Sequence, residues 1–271
     1  MRLNKLIYSV SLCAAGLAFA ACSDIEEDER FIYVEPADIA KRVLIEDFTG
    51  QGCPNCPDGN LAIERMQEEY GADNVIAVGM HSGPLGRGST LRTDDGDWYY
   101  DHWGISSQPT AYIDRREFFS DKDMWATAVR NYIQIEPEVM LDAACSYDAA
   151  TRTVGITVDA DGLQTTVNGN LQVWLIENNI VDYQIMQDGS WDYEYVHNHV
   201  YRASVNDLMG DAITVPTGAR ETRTFTYTLD EEWVPENMEV VAFIYNNTGV
   251  LQAVKTHVTG EPDAEEPVTE E

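Results

Sequence analysis

The stretch that decides the fold is Arg42-Val-Leu-Ile-Glu-Asp-Phe48, Thr49-Gly-Gln-Gly52, Cys53-Pro-Asn-Cys56-Pro57. Its first seven residues alternate Val43, Ile45 and Asp47 with Leu44, Glu46 and Phe48, the two faces of a strand. Two glycines then turn the chain. Beyond the cysteines a helical period runs to Tyr70, with Leu61, Ala62, Met66 and Tyr70 predicted on the inner face and Gly71 as the stop. The cysteines thus sit where a strand hands over to a helix. Two sulfurs at this spacing can bridge, and the free N–H groups and dipole of a helix N-terminus favour a thiolate on the first. The same pair is half of a zinc site, but the chain has no other CxxC and no CxxH to supply the other half. Pro54 suits a helix capped at Cys53, and Pro57 one that starts at Cys56. Both starts make Cys53 the exposed, reactive thiol and Cys56 the buried one.

Downstream, Asn74-Val-Ile-Ala-Val-Gly-Met80 predicts a second buried strand, and a Gly-rich loop follows from Ser82 to Asp97. Trp103-Gly-Ile-Ser-Ser-Gln108-Pro109-Thr110 leads into a third strand, Ala111-Tyr-Ile-Asp114. A helix over 121–133, with Ser120 as N-cap, is expected to pack Trp125, Val129 and Tyr132. Strand, CxxC, helix, strand and aromatic-Gly-Ile-x-x-x-Pro-Thr in this order resemble thioredoxin throughout residues 38–133. The resemblance implies that Pro109 is cis and faces the CxxC, where it blocks metal capture and seats a substrate strand beside Gln108 and Thr110. It also implies that Asp47, six residues before Cys53, is a buried acid that takes the proton of Cys56. His81, at the end of the second strand, either lines the CxxC cleft or hydrogen-bonds the glycine loop. Gly52 departs from the pattern, standing where many thioredoxins carry Trp.

Glu136-Pro137-Glu138 breaks the pattern, and the apolar period beyond it becomes two: Val139, Leu141, Ala143; Val154, Ile156, Val158; Val173, Leu175; Phe225, Tyr227, Leu229. Met238–Tyr245 pairs through Asn246-Asn-Thr-Gly249 with Val250–His257. This predicts an all-β antiparallel sandwich of the Ig or fibronectin kind over 136–258 after an α/β thioredoxin-like domain over 38–135, with a disordered acidic tail over 259–271. Cys145 alternates with apolar residues and is read as a small core residue. His197 and His199, at i and i+2, are expected to share a strand face; they hold a metal if Glu194 or Asp192 folds over them, or else hydrogen-bond neighbouring loops. The aromatic run Asp182–Arg202, with Glu46-Asp-Phe-Thr-Gly50, the CxxC and Met80-His-Ser-Gly83, resembles the Omp28-related outer-membrane lipoproteins of Bacteroidetes. That resemblance covers nearly all of the mature chain and implies a thioredoxin-like domain followed by a β domain at the outer membrane.

At the N-terminus Arg2 and Lys5 precede an apolar run from Leu6 to Ala21 that is too short to span a bilayer and ends in small residues before Cys22, the pattern of a secretory signal. Phe19-Ala-Ala-Cys22 resembles a bacterial lipobox, which implies cleavage after residue 21 and lipidation of Cys22. Residues 22–37 open with the acidic run Asp24-Ile-Glu-Glu-Asp-Glu29 and are expected to form a solvated tether. Across the chain 17 Lys+Arg stand against 47 Asp+Glu, a net charge of −30, which repels phosphate backbones and excludes nucleic acid as a partner. Cleavage after residue 21 would remove Arg2 and Lys5 and no acid, so the membrane contact would fall to the acyl anchor, not to a basic patch. Three functions follow. The first is a lipid-anchored envelope thiol–disulfide oxidoreductase, needing no cofactor and no metal, that acts on envelope protein thiols and disulfides through Cys53, Cys56, Asp47 and Pro109. The second is a surface-binding lipoprotein in which Cys53–Cys56 is structural, and the third is copper handling by the two thiols and His81.

Overall fold

The computed structural model describes residues 41–260; the signal segment, Cys22, the tether and the tail from residue 261 lie outside them. Strand β1 (Val43–Thr49) is central to the first half. It pairs in parallel with β2 (Val75–His81) and antiparallel with β3 (Thr110–Ile113), which pairs antiparallel with the short β4 (Glu117–Phe119). The alternation seen in the sequence directs the side chains as expected. Val43 and Ile45 pack with Ile63 and Met66 of helix α1 (Cys56–Tyr70) and with Trp125 and Val129 of helix α3 (Trp125–Tyr132). Leu44 and Phe48 face the other way, toward Tyr99 of helix α2 (Asp94–His102).

Several local expectations change. In α1 it is Ile63, not Leu61, that is buried, and Leu61 is 43% exposed. Helix α2 falls where the sequence predicts only a glycine-rich loop and its end; its signal was Thr93, whose hydroxyl caps Gly96 N–H, followed by Asp94, Asp95 and Asp97 in the first turn. The last helix is entered through a 3-10 turn over Lys122–Met124 capped by Asp121, not by Ser120.

Apart from a 3-10 turn over Pro235–Asn237, the regular elements of the second half are strands: β5 (Val139–Asp148), β6 (Thr153–Gly162), β7 (Val167–Glu177), β8 (Ile180–Ile185), β9 (Trp191–His197), β10 (Val200–Ser204), β11 (Asp211–Val215), β12 (Arg220–Thr228), β13 (Met238–Asn246) and β14 (Gly249–His257). They do not form a sheet system of their own. Strand β10 pairs in parallel with β2, so one nine-stranded sheet runs β14-β13-β7-β10-β2-β1-β3-β4, with β11 added to β7. A three-stranded sheet, β12-β6-β5, covers one side of β7, β13 and β14, burying Val139, Leu141, Ile156 and Val158 against Val173, Leu175, Val240 and Ala242. The opposite side of β7 and β13 carries Trp174, Ile176, Val241 and Phe243 into the same core as Leu44, Phe48 and Tyr99. These two strands are buried on both faces. The change of period at Glu136-Pro137-Glu138 therefore marks where helices stop, while the sheet continues across it.

A buried ion pair of the first half packs against aromatic rings of the second. Arg115, between β3 and β4, donates to Glu46 of β1 at 2.6 Å, and its guanidinium lies 4.2 Å from the ring centre of Tyr245 and 4.8 Å from that of Phe243. The fold is mixed α/β, mostly strands in several sheets, and none of the described helices is long and apolar enough to cross a membrane.

Candidate functional site

Cys53 and Cys56 form a disulfide, with Cα atoms 5.4 Å apart, between the end of β1 and the first turn of α1. The two glycines before it are required by close packing. A Cβ on Gly50 would lie 2.6 Å from the Leu85 carbonyl group, and one on Gly52 would lie 2.9 Å from its oxygen, which accepts the Gly52 N–H. No tryptophan fits at position 52. The helix starts at Cys56, with Pro57 in its first turn and Asn55 as N-cap residue. The expectation of an exposed Cys53 is overturned: Cys53 is 0% and Cys56 1% exposed.

The Gln108–Pro109 bond is cis. Pro109 lies against the first turns of α1, where a Cβ on Gly59 would be 3.4 Å from the Pro109 ring. Gln108 is turned inward: its side-chain amide donates to the carbonyls of Thr49 and Ser82 and so braces the ends of β1 and β2. The Thr110 hydroxyl donates to the Ser107 carbonyl. Asp47 is fully buried on the α1 side of β1, the face it shares with Val43 and Ile45, and neither of its oxygens has a hydrogen-bond partner among the described residues. Burial alone pushes its carboxyl up to about 7.

The cover over the disulfide is the hairpin β8–β9, which the sequence showed only as an unusually aromatic segment. It leaves the sheet after β7 and returns at β10, and Asn179 and His199 at its two feet have φ of 58° and 47°. Asn198 caps Asn179 N–H, and Asn178 caps His199 N–H. Five hydrogen bonds hold it down. Ile185 N–H donates to Gln51 O, Gln51 Nε2 to Tyr183 O, and Gln184 Nε2 to Cys53 O at 3.0 Å. Asn60 of α1 donates to the Tyr195 hydroxyl, and Thr90 to Asp182.

His81 and His197 meet beneath the hairpin with ring centres 5.3 Å apart, and Nδ1 of each is buried without a partner among the described residues. Burial first, then the neighbouring His197, His199 and Arg202, hold His81 well below the usual imidazole range. His199 does not share the His197 face, because β9 ends at His197 and the left-handed backbone at His199 breaks the alternation. Among the described residues no three His, Cys, Asp or Glu side chains converge as a metal site. Cys145 lies far along the chain on β5, half-buried against the sandwich core, and burial pushes its thiol up to about 12. Two open clefts of about 440 and 280 Å³ share Glu239, Lys255 and His257, where Glu239 is already held by Lys255 and Asn178.

The model of the outer membrane protein family Omp28 matches residues 96–261, more than half of the chain. Among solved structures, HBP35 of Porphyromonas gingivalis is similar with a TM-score of 0.64 at 17% identity, over 87% of this chain and 81% of that one. A structural-genomics protein of Agrobacterium tumefaciens is similar with a TM-score of 0.51 at 16% identity, over 85% of this chain and 100% of that one. These two likenesses concern the fold. A domain of the outer membrane lipoprotein Omp28 of Porphyromonas gingivalis aligns at 22% identity over 44% of this chain and 93% of its own, with a TM-score of 0.32. No curated protein matches the chain.

Proposed function

We propose that this chain, which belongs to the Omp28 family of outer membrane proteins, is a lipid-anchored thiol–disulfide oxidoreductase of the cell envelope. What supports the reading is three features on and beside α1: the Cys53–Cys56 pair at its start, the cis Pro109 against its Gly59, and, on the strand beneath, the buried carboxyl of Asp47, without a partner among the described residues. The strand order β2-β1-β3-β4, with α1 and α3 on one side and α2 on the other, is the arrangement expected of a thioredoxin-like unit. An unpaired carboxyl in an apolar setting is costly, and a carboxyl poised near neutral pH is suited to moving one proton.

In the reducing direction, the Cys53 thiolate attacks one sulfur of a client disulfide and expels the other as a thiolate. Cys56 then gives its proton to Asp47 and attacks Cys53 Sγ, which releases the client's first sulfur as a thiolate. The client leaves as a dithiol and the protein as the disulfide; an envelope dithiol must restore it. Asn55, between the cysteines, brings only a dipole, Asp47 would add a negative charge, and His81 is held neutral, so these groups do little to favour a thiolate. The couple is therefore expected nearer thioredoxin than the strongest envelope oxidants. Clients reach Cys53 when β8–β9 lifts, and Cys22 carries the acyl anchor that holds the protein to the membrane.

One observation favours a second reading. Both sulfurs are buried, as in a permanent structural disulfide of a binding lipoprotein. Trapping thiols in growing cells and titrating the purified protein against glutathione separates the two. A dithiol fraction in cells, with a mixed disulfide retained by Cys56→Ser, supports the oxidoreductase. A pair that stays oxidised in cells and resists reduction until the protein unfolds supports the structural disulfide.

A further inference from the structure

We propose that the outer end of the β8–β9 hairpin is a docking surface for a basic, extended polypeptide. On one side of the hairpin Tyr183, Trp191 and Tyr193 stack in a row, with ring centres 5.1 Å and then 6.0 Å apart. Packing has not consumed these rings, since Trp191 is 51% and Tyr193 67% exposed. Large aromatics left in water at the tip of a projecting element are the residue types that anchor interfaces. Strand β9 pairs with β8 and with no other described strand, so its far edge remains open to an added chain.

Charge selects the occupant. From Asn178 to Tyr201 the sequence has four acids and neither Lys nor Arg. Asp188 accepts from Ser190 and Asp192 from the Glu194 N–H, both within the hairpin, and no acid of the hairpin is in an ion pair among the described residues. Aromatic faces rimmed by unpaired carboxylates suit guanidinium and ammonium groups, which gain from both. A second copy of this chain, at −30, is repelled, and a neutral glycan gains nothing from the carboxylates. This surface goes beyond the redox reading and does not rest on it, because binding here needs no thiol.

The test uses full-length, oxidised protein and fluorescence anisotropy of a fluorescein-labelled twelve-residue peptide alternating Arg and Ser, with Glu-for-Arg and Gln-for-Arg versions as comparisons. The Arg peptide is expected to bind, to weaken roughly tenfold between 50 and 200 mM salt, and to outcompete the other two. Trp191→Ala with Tyr193→Ala is expected to weaken it roughly tenfold, and Asp192→Asn with Glu194→Gln roughly fivefold. Glu68→Gln with Glu69→Gln on α1 removes the same charge elsewhere and is expected to change binding less than about twofold. Equal losses from the hairpin and α1 variants would reveal attraction to net charge alone and overturn the proposal. Equal binding of the Gln peptide, or no binding of the Arg peptide, would overturn it too. None of these outcomes touches the redox titration, whose result is read from thiols.

Discussion

Replacing Asp47 by Asn should stabilise the oxidised protein in a pH-dependent way, with a size that follows from its burial. The carboxyl has no hydrogen-bond partner among the described residues and is raised from 3.8 to about 7 by desolvation. Well below pH 3.8 Asp47 is protonated in folded and unfolded chains alike, and its titration costs the fold nothing. As pH rises, the unfolded chain releases this proton first while the folded protein keeps it, so stability falls by about 1.36 kcal/mol per pH unit until the folded carboxyl ionises. The gap of about three units amounts to ~4 kcal/mol above pH 7. Asn fills nearly the same space and never ionises. Urea unfolding without reductant should therefore give an Asp47→Asn advantage that is smallest near pH 3, grows through pH 5 and 6, and levels off about 4 kcal/mol higher by pH 8. For a folded unit of this size that corresponds to a melting temperature roughly 10 °C higher. Other titrating groups are common to both proteins and drop out of the difference. A difference that is constant from pH 4 to pH 8 would refute the reasoning, because it would show that Asp47 ionises freely in the fold.

Arg115→Met should cost about 3–5 kcal/mol in urea unfolding by stranding the buried Glu46 carboxylate, and adding Glu46→Gln should recover much of it; no recovery would mean the loss came from the aromatic rings around the guanidinium. Gly59→Ala should destabilise although Ala is the better helix former, because its methyl meets the Trp125 ring at 3.1 Å and that ring is pinned by its N–H to Phe119 O; a higher melting temperature would contradict this. Cys22→Ala should abolish incorporation of labelled palmitate and release the protein in soluble form, and wild type released without lipid would refute the anchor.

Residues 42–57 were legible because their neighbours impose a simple demand. A strand between two apolar layers needs apolar side chains on both faces, and the exceptions, Glu46 and Asp47, each point to a buried polar role. The cis bond at Pro109 was implied by the resemblance to thioredoxin, and the structure has it. The sharing of one sheet by the two halves was not legible. Its signals, the doubly buried runs in β7 and β13, read equally as the inner strands of an independent sandwich, and the bridge itself is one parallel contact between Val200 and Gly79. Nor was the hairpin's position, since the bonds that place it join Gln184 to Cys53 and Tyr195 to Asn60, both more than a hundred residues apart.

In the oxidoreductase proposed above, lifting of the hairpin would reconcile burial of the sulfurs with a chemistry that needs them exposed. Its grip on the disulfide face is chiefly polar: five hydrogen bonds, three of them between the Gln51–Cys53 segment and residues 183–185. At ~0.5–1.5 kcal/mol net for each, closure is worth several kcal/mol, enough to keep the closed form dominant and small enough to be reversed without unfolding the sheet. The turns at Asn179 and His199 are stabilised by Asn198 and Asn178, and these bonds lie within the feet, so lifting the arm would not have to break them. A client bound equally well by both forms would not shift this balance. The rings of Trp191 and Tyr193 are exposed with the hairpin closed, so a client docked on them as proposed would be held beforehand without opening the arm. In that reading the opening force would come from contacts made only afterwards, at Cys53 and at the backbone of Gln51 that β8 now occupies.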